Sequence, residues 1–398
     1  MSLNVQTRGS SNSRTNSDLV VRQIDPKAYR LYADWGPFVA MMRMMTHKSA
    51  MGNKSAMGGT LKAAKNIANA IGPKFEWVEK DPGTPYGLAQ AEYAAGVTSV
   101  VVDKGEMFTV RDIIYVRTTG EQLLVTDISS DTLTVTRGFA GTTAAFIPSG
   151  ERLILQANTF AEGTGSPSPI AWDPTAPFNY TQIFKKSTAN TRTGLQTKEY
   201  GASNTMEELR RDVFEEFIQE RARQYYFGEA SIDVSGSTPV RTTGGLNSFI
   251  TSNVTDMDGS FTYAKWMDFV DSFFRYGAMD KILFCSSEIM KNIQLEVLGN
   301  TEFAISPKSK EYGINVKRVT TAFGDVDIAL DRTLNYYAEE GKGLGFVIEP
   351  KLISEVVLEA DKWHPNVQDN DTDGREDQIL GECGLKVCQQ KRHAKLIL

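Results

Sequence analysis

Apolar and polar residues alternate with a period of two between Val97 and Gln156, which is typical of strands with one buried face. The candidate strands are Ser99–Val102, Asp112–Arg117, Gln122–Ile128, Thr132–Arg137 and Arg152–Gln156. Short strands at such even spacing predict a small all-β module at about 97–156. A module of this size is too small to be the main core, so we expect it to be an insertion in a larger domain.

The strongest helical pattern covers Met206–Phe227, where apolar residues recur every three to four positions. Its apolar stripe consists of Met206, Leu209, Val213, Phe217 and Ile218. Thr205 and Glu208 fit a capping box, and Gly228 supplies the C-terminal stop. The opposite face is crowded with charged residues, namely Glu207, Arg210, Arg211, Glu215, Arg221 and Arg223.

Helical and strand patterns alternate through the rest of the chain. The predicted helices are residues 25–45 apart from a break at Trp35-Gly36-Pro37, residues 60–71, Tyr263–Tyr276, and a segment capped by Ser286 that runs to Leu298. The predicted strands are Lys281–Cys285, Ile314–Thr321, Val326–Leu330, Leu344–Ile348, Ile353–Glu359 and Ile379–Leu398. Helices interleaved with antiparallel strands predict an α+β fold.

The segment from Ala157 to Ser203 has neither helical nor sustained strand periodicity, although irregular segments of that length are uncommon in compact domains. It nevertheless contains Phe178, Tyr180, Ile183 and Phe184, and such apolar residues are atypical of a disordered tether. An arm of this kind becomes ordered when its apolar residues pack on a neighbouring subunit. We therefore expect these four residues, together with Trp77, to be intersubunit anchors.

The composition is that of an ordinary soluble protein, with 398 residues of which 41% are hydrophobic and 23% are charged. A single core rarely grows beyond about 250–300 residues, so we expect two or more sub-domains. No apolar run approaches the roughly 18 residues that cross a bilayer, and no secretory signal is evident, so we expect no membrane partner. The three cysteines, Cys285, Cys383 and Cys388, are too few for a disulfide framework and favour a reducing cytoplasm.

Charge is distributed unevenly along the chain. The formal net charge of −6 argues against nucleic-acid binding through the overall field. Residues 1–74, however, contain eleven lysines and arginines against three aspartates, which indicates a basic arm on an acidic body. Two interpretations stay open: a solvated or subunit-contacting arm, or an arm that contacts nucleic acid.

Residues suited to catalysis or metal binding are few and scattered. The chain has three histidines, His47, His364 and His393, and lacks the HExxH, GxSxG and Walker A patterns. Asp369–Gly374 matches the first half of an EF-hand loop, but Leu380 occupies the twelfth position, where a bidentate glutamate is needed. We expect no catalytic residues, no cofactor and no metal site, and therefore a protein that is not an enzyme.

Several short motifs, taken in order, resemble the tailed-bacteriophage major capsid (major head) protein family. They are KFEWVEKD at Lys74–Asp81, GEQLLVT at Gly120–Thr126, DTLTVTRGFAGTTAA at Asp131–Ala145, Glu162-Gly163, NYTQIF at Asn179–Phe184, GGL at Gly244–Leu246 and GECGLKV…RHA within Gly381–Ala394. Each motif is weak by itself, and their order makes the joint pattern specific. The resemblance extends from about Lys74 to the C-terminal residue.

The resemblance implies the capsid fold that is shared with encapsulins and with the floor of the herpesvirus shell. By position, it assigns residues 1–74 to an N-terminal arm, 75–203 to an extended E-loop carrying the inserted β module, 204–235 to the spine helix of a P-domain, 236–342 to an A-domain, and 343–398 to strands that return to the P-domain. Met206–Phe227 would then be the spine helix.

The resemblance also implies a structural role. Members self-assemble as hexamers and pentamers into the icosahedral head of a virion, around double-stranded DNA that is bound without sequence specificity. Implied partners are further copies of the chain, a separate scaffolding protein, a portal and a decoration protein, with assembly in the host cytoplasm. Two alternatives stay open: the shell of an encapsulin-like cellular compartment, and a carbohydrate-binding or enzymatic protein built around the β module.

Overall fold

The computed structural model describes residues 37–39, 41–42, 67–81, 83–165, 174–197, 205–296, 305–307, 316–338 and 342–398. The chain divides into two compact units: unit 1 comprises Met1–Trp77 and Pro177–Leu398, and unit 2 comprises Val78–Ala176. Residues 204–235, 236–342 and 343–398 all fall in unit 1. Unit 2 begins before and ends after the predicted module at 97–156, and helices and strands together confirm the α+β class.

The described strands and helices are numbered in chain order. The strands are β1 Ile67–Asn69, β2 Lys74–Glu76, β3 Tyr86–Leu88, β4 Ser99–Val101, β5 Asp112–Val116, β6 Gln122–Ser129, β7 Thr132–Thr136, β8 Arg152–Asn158, β9 Phe178–Tyr180, β10 Gln182–Thr191, β11 Ser231–Asp233, β12 Val240–Thr242, β13 Val254–Asp256, β14 Asp280–Cys285, β15 Ile305–Pro307, β16 Val316–Thr321, β17 Gly324–Leu330, β18 Leu344–Ile348, β19 Ile353–His364, β20 Gly374–Val387 and β21 Ala394–Ile397. The helices are α1 Arg192–Gln196, α2 Thr205–Phe227, α3 Leu246–Phe249, α4 Tyr263–Phe274 and α5 Ser287–Glu296. Residues 37–39, 41 and 42 are also helical.

Unit 2 is a small antiparallel barrel. Its six strands follow the order β3-β8-β5-β6-β7-β4, and a bridge between Ala89 and Val102 joins the two end strands. Alternate side chains point inward and form one apolar core, which includes Val100, Ile114, Leu123, Val125, Leu133, Ile147 and Leu153. The five predicted strands are all confirmed, with ends that shift by at most two residues. Strand β3 was not predicted, because Tyr86–Leu88 lies before the stretch of alternating residues that begins at Val97.

A seven-stranded mixed sheet forms one part of unit 1, in the order β13-β21-β18-β14-β17-β16-β15. Helices α4 and α5 pack on it through an apolar cluster that includes Trp266, Phe269, Phe273, Ile289 and Ile293. The predicted strands Ile314–Thr321 and Val326–Leu330 correspond to β16 and β17, which pair antiparallel as a hairpin closed by the pair Thr321↔Gly324. The predicted strand Ile379–Leu398 is instead divided at residues 390–392, so that β20 and β21 belong to different sheets.

A four-stranded sheet and the long helix α2 form another part of unit 1, which also contains the two-stranded sheets β2–β9 and β11–β12. The strand order is β1-β19-β20-β10, and β10 pairs antiparallel with β20 from Gln182↔Cys383 to Thr191↔Gly374. Helix α2 packs on this sheet around Phe217, Ile218 and Tyr225. The long helix is therefore confirmed, and it begins one residue earlier than predicted.

Two further predictions about chain conformation are wrong. Ala157–Ser203 is not irregular, because its described residues include β9, the ten-residue strand β10 and helix α1. The inward positions of β10 include Lys186 and Thr188, so the strand lacks the apolar alternation that would mark it. Residues 67–69 form strand β1, where a helix over 60–71 was expected, and pairing with β19 decides their conformation. Within the described residues, no helix is long and apolar enough to span a bilayer.

Candidate functional site

Strand β10 presents two different faces, and this separates the predicted anchor residues. Phe184 is 6% exposed and packs edge-on against Phe217 and Tyr225 of helix α2, with ring centroids 6.4 Å apart in each case. Its neighbour Ile183 is 54% exposed on the other face of the strand. The expectation that Phe184 lacks a partner in its own chain is therefore wrong, whereas Ile183 does project away from the core.

Trp77 is also buried within its own chain. Its ring centroid lies 6.2 Å from that of Phe75 and 5.8 Å from that of Phe249, and the Lys386 ammonium is 6.0 Å from the ring. Only 5% of Trp77 is exposed. Like Phe184, it belongs to the interior of unit 1, which corrects the expectation that it needs a neighbouring subunit for burial.

Strand β9 carries the other exposed anchor. Phe178 is 44% exposed, packs edge-on against Tyr180 at 5.7 Å, and lies under the Lys74 ammonium, which is 4.6 Å from its ring centroid. Tyr180 is half-buried. The structure thus brings Phe178 and Tyr180 together on the pair β2–β9, and leaves Phe178 and Ile183 as the outward-facing members of the predicted set.

Asn179, between those two aromatic residues, fixes this segment to the rest of unit 1. Its Nδ2 donates to Thr243 Oγ1 at 3.1 Å, to the Gly244 carbonyl at 3.1 Å and to the Leu385 carbonyl at 2.6 Å. Its Oδ1 accepts from the Gly244 N–H at 2.8 Å. One buried amide therefore joins three of the sequence motifs, NYTQIF, GGL and GECGLKV, and this bonding gives a physical reason for an asparagine at that position.

The apolar stripe predicted for helix α2 is present, but the helix buries more than that stripe. Met206, Phe217 and Ile218 are buried, while Leu209 and Val213 are half-buried. Arg221, which belongs to the charged face of the sequence pattern, is only 1% exposed. Periodicity could not reveal its burial, because an arginine does not mark an apolar position. The sequence feature that accompanies its burial is the pair of acidic residues on β19, Glu355 and Asp361, which bind it.

Arg221 is the centre of a buried polar cluster between helix and sheet. Its Nη2 and Nη1 donate to the two carboxylate oxygens of Asp361 at 2.6 and 3.0 Å, and Nη1 lies 3.4 Å from Glu355 Oε1. The guanidinium also lies over the rings of Phe184 and Phe217, at 5.0 and 4.7 Å from their centroids. Such a buried charge is tolerated because it is paired, bidentate and covered.

The surroundings of Arg221 are adapted to it. Burial raises the pKa of Tyr225 far above its ordinary range, so the hydroxyl stays protonated and donates to Glu355 Oε1 at 2.8 Å. A Cβ at Gly381 would overlap Asp361 Oδ1, so the glycine leaves the space that the aspartate occupies. Burial also raises the pKa of the Cys383 thiol to about 12, which keeps that thiol neutral beside Tyr225.

Three further ion pairs attach helix α2 to the same sheet. Arg210 donates to Asp377, with Nη2 at 2.6 Å and Nε at 2.8 Å from Oδ2. Lys186 of β10 lies 2.7 Å from Glu220 and 3.0 Å from Glu216. Together with Arg221, these pairs connect the helix to β10, β19 and β20, so ion pairs as well as apolar packing hold the helix against the sheet.

Unit 2 contains a separate buried ion pair. Arg137 donates to both carboxylate oxygens of Glu121 at 2.8 Å, and its Nη1 donates to the Ala94 and Val97 carbonyls at 2.9 and 3.0 Å. Glu121 also accepts from the backbone N–H groups of Gly138 and Ala145. Burial alone would raise the pKa of Glu121, but the hydrogen bonds from Arg137, Ala145 and Gly138 hold it below its ordinary value. Through these bonds the ion pair connects the RGFAGTTAA motif to the loop that contains Ala94 and Val97, which gives a structural reason for the motif.

A family model described as SU10 major capsid protein matches residues 38–397. The chain belongs to the SU10 major capsid protein family. This confirms the resemblance to phage major capsid proteins and the fold class that it implied. The match includes both unit 2 and the described part of unit 1.

The individual relatives described next share between 8% and 26% of their residues with this SU10-family chain. The major capsid protein of Pseudomonas phage PaMx41 is 26% identical over 238 residues, which cover 57% of each chain, so the chain spans less than two thirds of that relative. Among solved structures, the capsid of a native GTA particle has a TM-score of 0.49 at 8% identity, covering 98% of this chain and 99% of that one. The capsid of cyanophage Pam1 has a TM-score of 0.41 at 10% identity, covering 61% and 82%.

Proposed function

We propose that this chain is the subunit of an icosahedral phage head, and that its copies assemble as hexamers and pentamers around double-stranded DNA. The observation that carries this proposal is membership of the SU10 major capsid protein family over residues 38–397. The match extends through both compact units, so the whole body of the chain, and not one module, supports the assignment.

The geometry of unit 1 supports a structural role in a shell. Helix α2 is attached to its sheet by the Arg210 ion pair in its first half, by the Lys186–Glu220 pair further along and by the buried Arg221 cluster. Such connected polar networks favour a single arrangement of their elements. By position in the chain, α2 is the spine helix and unit 2 is the insertion in the E-loop. The A-domain is then 236–342, with 343–398 returning to the P-domain.

Subunit contacts are assigned to the apolar residues that the chain itself leaves exposed. Phe178 and Ile183 are 44% and 54% exposed, and large exposed aromatic and aliphatic side chains of this kind can serve as anchors of interfaces. Burying them on a neighbouring copy removes apolar surface from water, which favours association. Phe184 and Trp77 contribute indirectly, by holding the strands that present these two residues.

Further partners follow from the family role. We assign a scaffolding protein, a portal and a decoration protein as partners, with packaged DNA held without sequence specificity, and place the assembly step in the host cytoplasm. A net charge of −6 is compatible with this role, because DNA carries its own counterions into the shell. The basic arm at 1–74 lies mostly outside the described residues.

The alternative of an encapsulin-like compartment is less well supported than the viral shell, because the matching family is one of major capsid proteins. A carbohydrate-binding or enzymatic protein built around unit 2 predicts a different assembly state. Such a protein would be a monomer or a small oligomer, whereas a shell subunit forms closed particles of megadalton mass.

Electron microscopy and analytical ultracentrifugation of the expressed protein, with and without the scaffolding protein of the same phage, test the proposal. We expect closed shells of uniform diameter that contain this chain as the main component. Stable monomers or small oligomers under both conditions would contradict the shell function. A co-purified cargo enzyme inside the shells would instead favour the compartment alternative.

A further inference from the structure

Strand β10 lies at the end of its sheet. The strand order is β1-β19-β20-β10, so one side of β10 pairs with β20 and, within the described residues, no strand pairs with the other side. A strand of ten residues with a free side is long for an edge, and proteins usually blunt such edges with proline, bulges or a covering segment. Proteins also blunt edges with lysine, and β10 carries the exposed Lys185, but it contains no proline and its pairing with β20 is continuous, without a bulge.

The hydrogen bonds around Glu376 reveal which main-chain groups point to the free side. Its N–H donates to Gln368 Oε1 at 3.1 Å, and its carbonyl accepts from the Val367 N–H at 2.8 Å. Both groups of Glu376 therefore point away from Ala189, its partner in register on β10. In an antiparallel pair, residues that do not bond to each other direct their main-chain groups away from each other. The N–H and C=O of Ala189 thus point to the free side.

Because main-chain direction alternates along a strand, Ile183, Lys185 and Ser187 share the orientation of Ala189. Among the described residues, no backbone group bonds to the N–H or C=O of these four residues on that side. Their side chains are all exposed as well. The free side is therefore a row of unpaired donors and acceptors, spaced for an extended chain.

The chain itself begins to cover this row and then departs. The Thr181 N–H, which has the same orientation, donates to the Pro73 carbonyl at 2.8 Å, and β2 continues from there along β9. Residues before Pro73 leave in another direction, because the Ala70 N–H bonds to Val357 of β19 and β1 pairs with the opposite end of the sheet. The segment directly preceding β2 is therefore hydrogen-bonded to β19 and does not extend along β10.

We propose that the free side of β10, from Ile183 to Ala189, binds an extended segment of a second copy of this chain as an additional strand. Main-chain groups at this spacing are matched by an extended polypeptide, and strand addition at a sheet edge is a recurring mode of recognition. The exposed Ile183 side chain at one end adds an apolar contact. This inference rests on the proposed shell function, which places second copies in contact with the subunit.

Amide hydrogen exchange on the unmodified protein, read at single-residue level, tests the inference. In the free subunit, the amides of Ile183, Lys185, Ser187 and Ala189 should exchange rapidly, while the intervening amides are protected by β20. In assembled shells, the same four amides should exchange at least about tenfold more slowly. Equal exchange in shells and free subunits would overturn the inference, and so would the same protection in subunits that stay unassembled when a different viral protein is added.

A matched pair of variants provides a second test. Ser187→Pro removes one outward N–H and leaves the bonds to β20, since proline is tolerated on an edge whose N–H faces solvent. Ser187→Ala keeps the N–H and serves as the control. We expect Ser187→Pro to fold as a subunit but to give at least about tenfold fewer shells than Ser187→Ala, because one proline removes a donor and blocks the approach of a strand. Equal yields would refute the edge contact while leaving the shell function intact, whereas an unmodified chain that forms no shells would refute the shell function itself.

Discussion

The barrel of unit 2 and the four-stranded sheet of unit 1 each enclose a buried arginine bound to carboxylates, yet they differ in completeness. In the barrel, a bridge between Ala89 and Val102 joins the end strands and leaves no long edge in the described residues. In the sheet, β10 retains a free side. A closed barrel satisfies its own backbone, whereas an open sheet depends on what covers its edge. The difference suits a unit 2 that satisfies its own backbone hydrogen bonds, and a four-stranded sheet in unit 1 whose free edge, as inferred above, binds a strand of a second copy.

Of the changes considered, removal of the Arg221 side chain should lower the free energy of unfolding the most, and it acts on the four-stranded sheet of unit 1. Arg221→Ala leaves the buried carboxylate of Glu355 without its cationic partner and removes the bidentate partner of the half-buried Asp361. It also uncovers the rings of Phe184 and Phe217. We expect the free energy of unfolding of unit 1 to fall by about 4 kcal/mol, the usual cost of breaking a buried pair from one side. Urea denaturation followed by circular dichroism measures the change.

Arg211→Ala is the matched control for that variant. Arg211 lies on the same helix, its side chain is 63% exposed, and its pair with Glu215 has an N···O distance of 3.8 Å. Its loss should change stability by less than about 0.5 kcal/mol. If the two variants lose similar stability, the Arg221 cluster does not hold the helix to the sheet.

The corresponding change in the barrel is Glu121→Ala, which leaves Arg137 buried without its bidentate partner. We expect a loss of about 3 kcal/mol, confined to unit 2 and visible as faster amide exchange in β5 to β7. Because the pKa of Glu121 is lowered on folding, its contribution is present above the ordinary pKa and is lost as the pH falls through the folded value. Exchange that increases equally in β19 and β20 would contradict the independence of the barrel.

A pH effect of intermediate size should come from His393, which belongs to unit 1 only. Burial lowers the pKa of His393 to about 4, with a smaller contribution from Lys281 and Arg392. The unfolded chain binds the proton more readily, so the free energy of unfolding should fall by about 2 kcal/mol between pH 7 and pH 5 from this group. A His393→Gln variant should lack this part of the pH dependence. Identical slopes in both proteins would show that the imidazole does not cause it.

The barrel and the long helix could be predicted from the sequence because both are defined by local periodicity. The five barrel strands and Thr205–Phe227 agree with their predicted positions to within two residues. Strand β10 could not be predicted, since its partner β20 lies almost two hundred residues further along and its inward positions include a lysine. The same long-range pairing explains why Phe184 was assigned to an interface: its aromatic partners on α2 are brought to it only by the sheet.

The smallest effect on the isolated subunit, and the one that sharpens the comparison most, concerns two adjacent residues. Ile183→Ser should change subunit stability by less than about 0.5 kcal/mol, because the side chain is 54% exposed, while Phe184→Ala should cost about 3–4 kcal/mol through loss of core packing. Assembly should respond in a different way. Ile183→Ser should reduce shell yield at unchanged subunit stability, since the lost contact belongs to a neighbouring copy. Thermal denaturation of subunits and sedimentation of assembled particles separate the two effects. A fully assembling Ile183→Ser variant would mean that the Ile183 side chain is ordinary solvent-facing surface and contributes no contact to a neighbouring copy.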